Sequence, residues 1–293
     1  MQYVYLGKSG LKVSRLSFGN WLTADDAAKH EEQAKIFKRA YELGINFFDT
    51  AEAYGQGKGE ESLGKALKDM NVPREKLVIS TKLFWASKLT ENPPNEIGLS
   101  RKHIHEGIRN SLRRLGLDYV DITFCHRFDY DVQLEEICRS MSEICEKGLS
   151  LYWGTSEWPA AYISAAIELC RAKGWHEPVA EQCQYNMLVR QKMESDYIPL
   201  FTRYGYGTTI WSPLAGGLLS GKYNDGTKHP GRFDQDYLWQ VNMGEKKREK
   251  TLKILNGLAE IAKKRGYSQA QLALAWTLAN SATSTCILGA SRI

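Results

Sequence analysis

The sequence contains no run of 18 apolar residues, and its opening, Met1 to Leu6, lacks the basic-then-apolar build of an export signal. Neither a membrane span nor a leader is expected. Cysteine is scarce: six in 293 residues (Cys125, Cys138, Cys145, Cys170, Cys183 and Cys286), with no C-x-x-C and no His at a zinc-like spacing from a Cys pair. That excludes a disulfide scaffold and gives no reason to expect a metal, so a reducing, cytoplasmic compartment is the default. A surplus of one charge is missing too, since 39 basic and 34 acidic residues leave a net charge of +5. The cations mostly sit beside acids, as in Glu245-Lys246-Lys247-Arg248-Glu249-Lys250, which reads as a solvated helix face and not as a nucleic-acid surface. A site for a phosphorylated small molecule stays open, because it needs only a few cations. Linkers and low-complexity segments are also absent. So is the G-x-G-x-x-G fingerprint of an open dinucleotide-binding sheet: after the first apolar run the chain reads Gly19-Asn20-Trp21-Leu22-Thr23.

What is present is an ordinary globular composition, 43% hydrophobic and 25% charged, laid out as an alternation. Eight short apolar runs stand at Leu16 to Phe18, Ile45 to Phe48, Leu77 to Ile79, Tyr119 to Cys125, Leu149 to Trp153, Val179 to Cys183, Thr208 to Trp211 and Thr285 to Leu288. Runs without polar alternation suit parallel strands covered on both faces. Amphipathic segments lie between them. His30 to Leu43 ends at Gly44, a helix capped by Ser100 reaches Leu115 and ends at Gly116, Val132 to Lys147 ends at Gly148, and Leu252 to Arg265 ends at Gly266. Ser268 then caps a last helix whose Ala270, Leu272, Ala273, Leu274 and Trp276 are expected to be largely buried. This order predicts an α/β chain forming one (β/α)8 TIM barrel domain over residues 1–293. An N-terminal hairpin, Tyr3 to Leu6 against Leu11 to Val13, would plug its bottom. No segment after the eighth run reads as an eighth helix, so the barrel is expected to lack one.

In a parallel barrel, reactive side chains gather where strands end at the C-terminal mouth. Asp49, Lys82 and His126 follow three successive runs, and Tyr54 lies five residues beyond Asp49. A phenol is a poor acid near neutrality, but a nearby ammonium favours its anion and should lower its pKa. A carboxylate would hold the ammonium, and a neutral imidazole would orient a carbonyl. Together the four could protonate an oxygen as it becomes an alkoxide, the demand of carbonyl reduction. A buried Asp–Lys pair that only stabilises the mouth, or a barrel lyase with Lys82 as a Schiff base, explains parts of the same set. After the seventh run comes Trp211-Ser212-Pro213-Leu214-Ala215-Gly216-Gly217, with Lys222 and Arg232 beyond. Its glycines would let backbone N–H groups cradle a pyrophosphate, and Trp211 offers a flat face to a nicotinamide, although a mobile lid has the same composition. Trp21, Trp85, Phe128 and Tyr130 are candidate pocket walls.

Several stretches together resemble the aldo-keto reductase superfamily: Phe48-Asp49-Thr50-Ala51-Glu52-Ala53-Tyr54-Gly55, Ser80-Thr81-Lys82, Tyr119-Val120-Asp121, Trp153-Gly154-Thr155-Ser156, Glu181-Gln182 and Trp211-Ser212-Pro213-Leu214. The likeness runs from Leu6 to Ser291. Within it, Leu6-Gly7-Lys8-Ser9-Gly10-Leu11, Phe84-Trp85 and Gly98-Leu99-Ser100-Arg101-Lys102-His103-Ile104 are most similar to voltage-gated potassium channel β-subunits and their microbial and plant relatives. The resemblance implies a tetrad of Asp49, Tyr54, Lys82 and His126, with Tyr54 as general acid. His126 stands where the animal channel subunits commonly carry Asn. The resemblance also implies NADPH laid across the mouth. Trp21, Ser156 and Gln182 would stand beside the nicotinamide end, Trp211 would stack on the ring, and Ser212, Pro213, Leu214, Ala215, Gly216, Lys222 and Arg232 would line the phosphates. Gly289 and Ser291 would begin the grip on the 2′-phosphate. Glu157 departs from the Arg or Asn usual after Ser156, and the Gln, Glu and Asn that normally follow Gly289-Ala290-Ser291 are not found. The expected activity is reduction of a small-molecule aldehyde or ketone. The alternative is a redox-sensing cytosolic subunit of a potassium channel, as a homotetramer beside the channel α-subunit.

Overall fold

The eight apolar runs form eight parallel strands that close on one another. In the computed structural model, which describes residues 1–21, 30–86, 94–229, 239 and 243–290, a hairpin of β1 (Tyr3–Tyr5) and β2 (Lys12–Ser14) comes first. The barrel strands follow: β3 (Leu16–Gly19), β4 (Phe47–Asp49), β5 (Val78–Leu83), β6 (Val120–Cys125), β7 (Ser150–Ser156), β8 (Ala180–Gln184), β9 (Gly207–Trp211) and β10 (Thr285–Leu288). Each pairs with its sequence neighbours, and β10 pairs back to β3. Helices α1 (His30–Glu42), α2 (Lys58–Met70), α3 (Arg101–Leu115), α4 (Leu134–Glu146) and α5 (Ala160–Lys173) follow the first five barrel strands. After β8 there is no α-helix but two π-helical turns, Lys192–Asp196 and Leu200–Tyr204. Helices α6 (Glu245–Lys264) and α7 (Gln269–Ala279) lie between β9 and β10. No helix among the described residues is long and apolar enough to cross a membrane.

Several ends are set by local chemistry. The Ser100 hydroxyl accepts from the N–H of His103 and starts α3, while Gly116, at φ 65°, ends it. Ser268 and Gln271 form a reciprocal capping box on α7. The burial expected on α7 is only partly found: Ala273 is buried, whereas Ala270, Leu272, Leu274 and Trp276 are half-buried. The helix is apolar around most of its circumference, so its sequence marks no single inward stripe. Helices α2 and α5 are not delimited by the patterning above.

The period of two along a strand divides the barrel into two cores. Phe48, Ile79, Leu83, Cys125, Trp153, Cys183, Ile210 and Cys286 face outward into the layer beneath the helices. Phe47, Val78, Ile122, Phe124 and Ala180 face inward and pack with Leu6 and Val13 of the hairpin, which closes the bottom. Close backbone approach makes this plug possible. A Cβ on Gly207 would lie 2.6 Å from the Gly7 nitrogen and 2.9 Å from the Leu6 carbonyl carbon. Gly207→Ala is therefore expected to push the hairpin off β9 and to lower stability by about 1–3 kcal/mol in a denaturant titration. An unchanged midpoint would show that the plug contributes nothing.

Candidate active site

The same period sets the mouth. Inward positions on successive strands are Phe47 and Asp49; Val78, Ser80 and Lys82; Ile122, Phe124 and, one residue beyond the strand, His126; Tyr152, Gly154 and Ser156; Ala180, Gln182 and Gln184; and Gly207, Thr209 and Trp211. Register aligns Asp49 with Ser80 and Lys82 with Phe124. The last inward residue of each strand therefore emerges at one opening.

Lys82 has no solvent exposure, and its three ammonium hydrogens are all committed. Nζ lies 2.6 Å from Asp49 Oδ2, 2.7 Å from the Thr50 carbonyl oxygen and 3.0 Å from the Tyr54 hydroxyl oxygen. Burial works against the charge, but Asp49 and Tyr54 outweigh it and hold the ammonium above its usual pKa. Asp49 Oδ1 in turn accepts from Ser80 Oγ at 2.6 Å and from Gln182 Nε2 at 3.0 Å. A buried ion pair is tolerated only when its remaining lone pairs are satisfied, and here they are.

The phenol of Tyr54 differs from the expectation. Burial raises its pKa above 10.0, Lys82 pulls it part of the way back, and Asp49 adds to the rise. The group stays protonated, because desolvation of a phenolate outweighs one cation already shared with a carboxylate. Since its oxygen accepts from Lys82, its own hydrogen is free to point elsewhere. His126 stands over it edge-on, ring centroids 5.9 Å apart. Burial first, then Lys82 and Arg127, drive the imidazole pKa well below 6.5, so it is neutral. Nδ1 is buried without a partner, which leaves Nε2 as the ring atom able to meet a ligand.

Around this set the expected residues fall as follows. Trp21 is about half exposed, with its ring 6.5 Å from that of Tyr54. Ser156 and Gln182 are buried at adjacent inward positions of β7 and β8. Trp211 is half-buried at the end of β9. Ser212 and Ala215 hold left-handed backbones (φ 53° and 50°), as do Gly216 and Gly217; the first two are strained there, as residues of ligand-binding turns often are, and the glycines are not. Pro213 is buried and Leu214 half-buried. Three N–H groups of this turn are not free, contrary to expectation. That of Ala215 donates to the Ser212 carbonyl, that of Gly216 to Ser212 Oγ, and that of Gly217 to the Leu214 carbonyl, because tight left-handed turns close on acceptors of their own first residues. Lys222 is exposed, with its ammonium 4.7 Å over the Tyr223 ring. Gly289 is exposed just beyond β10, while Arg232 and Ser291 lie outside the described residues. Among the wall candidates, Phe84 packs on Trp85 and Phe128 on Tyr130 at 4.6 and 4.7 Å between ring centroids.

Some supports were not singled out from sequence. Asn186 Nδ2 donates to the Ser212 carbonyl at 3.0 Å. Glu52, within the Asp49–Tyr54 stretch, accepts from the Phe84 N–H at 2.8 Å and pairs with His103 Nε2 at 3.0 Å, tying the end of β5 to α3. Ser80 was legible, lying two residues before Lys82 on the same strand face; Asn186 carries no such signal. Glu181 faces outward from β8 and is fully buried, with Thr155 donating to it and Tyr197 3.4 Å away. Burial pushes its carboxyl up to about 8.

The comparisons agree with this architecture. The family model described as "Aldo/keto reductase family" matches residues 15–293. A rice (Oryza sativa subsp. japonica) protein named a probable voltage-gated potassium channel subunit beta is 43% identical over 294 residues, covering 100% of this chain and 88% of its own length. A protein of the same name from Arabidopsis thaliana is 44% identical over 294 residues, with the same coverage. A putative voltage-gated potassium channel subunit beta from Schizosaccharomyces pombe is 45% identical over 292 residues, covering 98% of this chain and 84% of its own. With its family model spanning nearly the whole barrel and three such relatives alongside, the chain belongs to the aldo/keto reductase family.

Proposed function

We propose that this protein reduces aldehydes or ketones to alcohols with NADPH, Tyr54 donating the proton. One observation carries the reading: a buried, charged Lys82 bridges Asp49 and the hydroxyl oxygen of Tyr54, at 2.6 and 3.0 Å, beneath a neutral His126. When bound, the cofactor would supply the hydride to the carbonyl carbon. The residues present suit its nicotinamide end. Asp49 can only accept, so Gln182 turns Nε2 toward it and leaves Oε1 for the N–H of a carboxamide. The Ser156 hydroxyl can donate to the carboxamide oxygen, and Trp211 offers a ring face. Lys222 would meet a phosphate.

His126 Nε2, acting as a donor, and the Tyr54 hydroxyl would together orient the carbonyl oxygen. Tyr54 would release its proton as negative charge develops there, and Lys82 would stabilise the phenolate left behind. Asp49 keeps Lys82 charged through that step. The same charge argues against a Schiff-base role, which needs a free amine. Mixing protein, NADPH and small aldehydes such as benzaldehyde is expected to consume the reduced cofactor catalytically, faster than NADH at equal concentration. Absence of consumption across a panel of aldehydes and ketones would defeat the reductase reading.

The relatives' names favour a second reading, a potassium-channel-associated subunit, for which the sequence resemblance adds the expectation of a homotetramer. Co-purification of the chain with the cytosolic segment of a potassium channel from the same cell, and a four-copy mass in solution, would support it.

A further inference from the structure

Trp211 has one polar atom, and it is committed: Nε1 donates to Glu157 Oε1 at 2.9 Å. Glu157 is an unusual residue to find there. It follows β7 with a left-handed backbone at φ 58°, a conformation that a side chain other than that of Gly rarely adopts. Its surroundings over-determine it. Its N–H donates to the Gln182 carbonyl at 3.2 Å. Its Oε1 also accepts from the Gln184 N–H at 2.7 Å, and Lys192 pairs with Oε2 and reaches the Glu157 carbonyl oxygen at 3.3 Å. The carboxylate is thus fixed from the last residue of β8 and the segment after it, and in turn fixes the edge of an indole on β9. Without that bond the ring could turn about both of its side-chain torsions. With it, the ring edge is held at the last inward position of β9.

We propose that Glu157 is a positioning residue for the cofactor's ring: it clamps the Trp211 indole so that its face is pre-set for the nicotinamide. Lys192 neutralises and orients the clamp. This rests on reading the site as an NADPH site. Pre-setting a stacking surface raises affinity by removing the ordering that binding would otherwise require. The clamp acts on the ring alone, so it should leave the adenosine and phosphate end untouched. A pair that merely staples three segments together would weaken both ends alike when broken.

The test is calorimetric titration of the whole chain with NADPH and with 2′-phospho-ADP-ribose, which lacks the nicotinamide. Glu157→Met is expected to weaken NADPH about tenfold, the effect of one lost hydrogen bond, and to leave 2′-phospho-ADP-ribose within about twofold. Glu157→Gln, which keeps an acceptor for the indole, should restore NADPH affinity to within about threefold of the parent. Unchanged NADPH affinity in Glu157→Met, or equal weakening of both ligands, overturns the proposal. Should Glu157→Met not fold, Lys192→Met loosens the carboxylate without removing it. A ring-only loss of about threefold is then expected, and no loss overturns the clamp. If the parent chain binds neither ligand, the cofactor reading itself fails. If it binds both and the variants behave like the parent, the clamp alone fails.

Discussion

Replacing Tyr54 with Phe is expected to lower turnover at least about 10³-fold, because it removes the general acid itself. It should leave the affinity for NADPH within about twofold, since none of the contacts assigned to that ligand passes through the hydroxyl. The ring keeps its place against His126 and Trp21, and Lys82 keeps two of its three acceptors, Asp49 Oδ2 and the Thr50 carbonyl oxygen. The variant should therefore fold as the parent does. Lys82→Met is a poorer test, because it strands the Asp49 carboxylate in the barrel, a change that destabilises by about 3–5 kcal/mol. The parent's pH profile follows from the same geometry. Tyr54 lies above 10.0 and His126 well below 6.5, so both hold their working protonation states across the neutral range. The rate should be flat between those limits and fall in alkali as the phenol ionises. Steady-state kinetics with a saturating aldehyde decides the matter: near-parental turnover in Tyr54→Phe would remove Tyr54 from the chemistry.

Glu181→Gln is expected to stabilise the fold at alkaline pH and not at acid pH. The ordinary carboxyl value is 4.5, and burial pushes Glu181 up to about 8 in the folded chain. Between those values the folded state keeps a proton that the unfolded state has released. Stability then declines as pH rises through this interval, and the deficit is complete above about pH 8. Complete ionisation corresponds to about 4–5 kcal/mol at 1.4 kcal/mol per decade of proton affinity. Gln has no proton to lose. The melting temperature of the variant should match or trail the parent's near pH 5 and exceed it by about 5 °C or more at pH 9. Parallel pH profiles would show that Glu181 does not carry the alkaline sensitivity. Because it faces the outer layer and not the mouth, this dependence should be separable from that of turnover.

The two predictions differ in how far their residues could be read from the chain. Asp49, Lys82 and His126 were legible because each follows an apolar run, and a parallel barrel sends all strand ends to one mouth. Their partner Ser80 follows from a spacing of two. The hairpin, the Ser100 and Ser268 caps and the Gly116 stop were legible for a more local reason, each being decided within a few residues of backbone. Glu181 was visible only as the neighbour of Gln182. Which of the two faces inward depends on strand phase, and its elevated pKa depends on its complete burial, which outweighs the hydrogen bond from Thr155.

The sequence by itself determined the alternation of strands and helices, the closed barrel and the meeting of Asp, Tyr, Lys and His, since periodicity and turn chemistry are local. Only the tertiary structure decided that Tyr54 remains protonated and that Glu157 grips Trp211 across 54 residues while Lys192 grips Glu157 across 35. Desolvation and side-chain contact are set by what the folded chain brings near, and no spacing along a sequence encodes them.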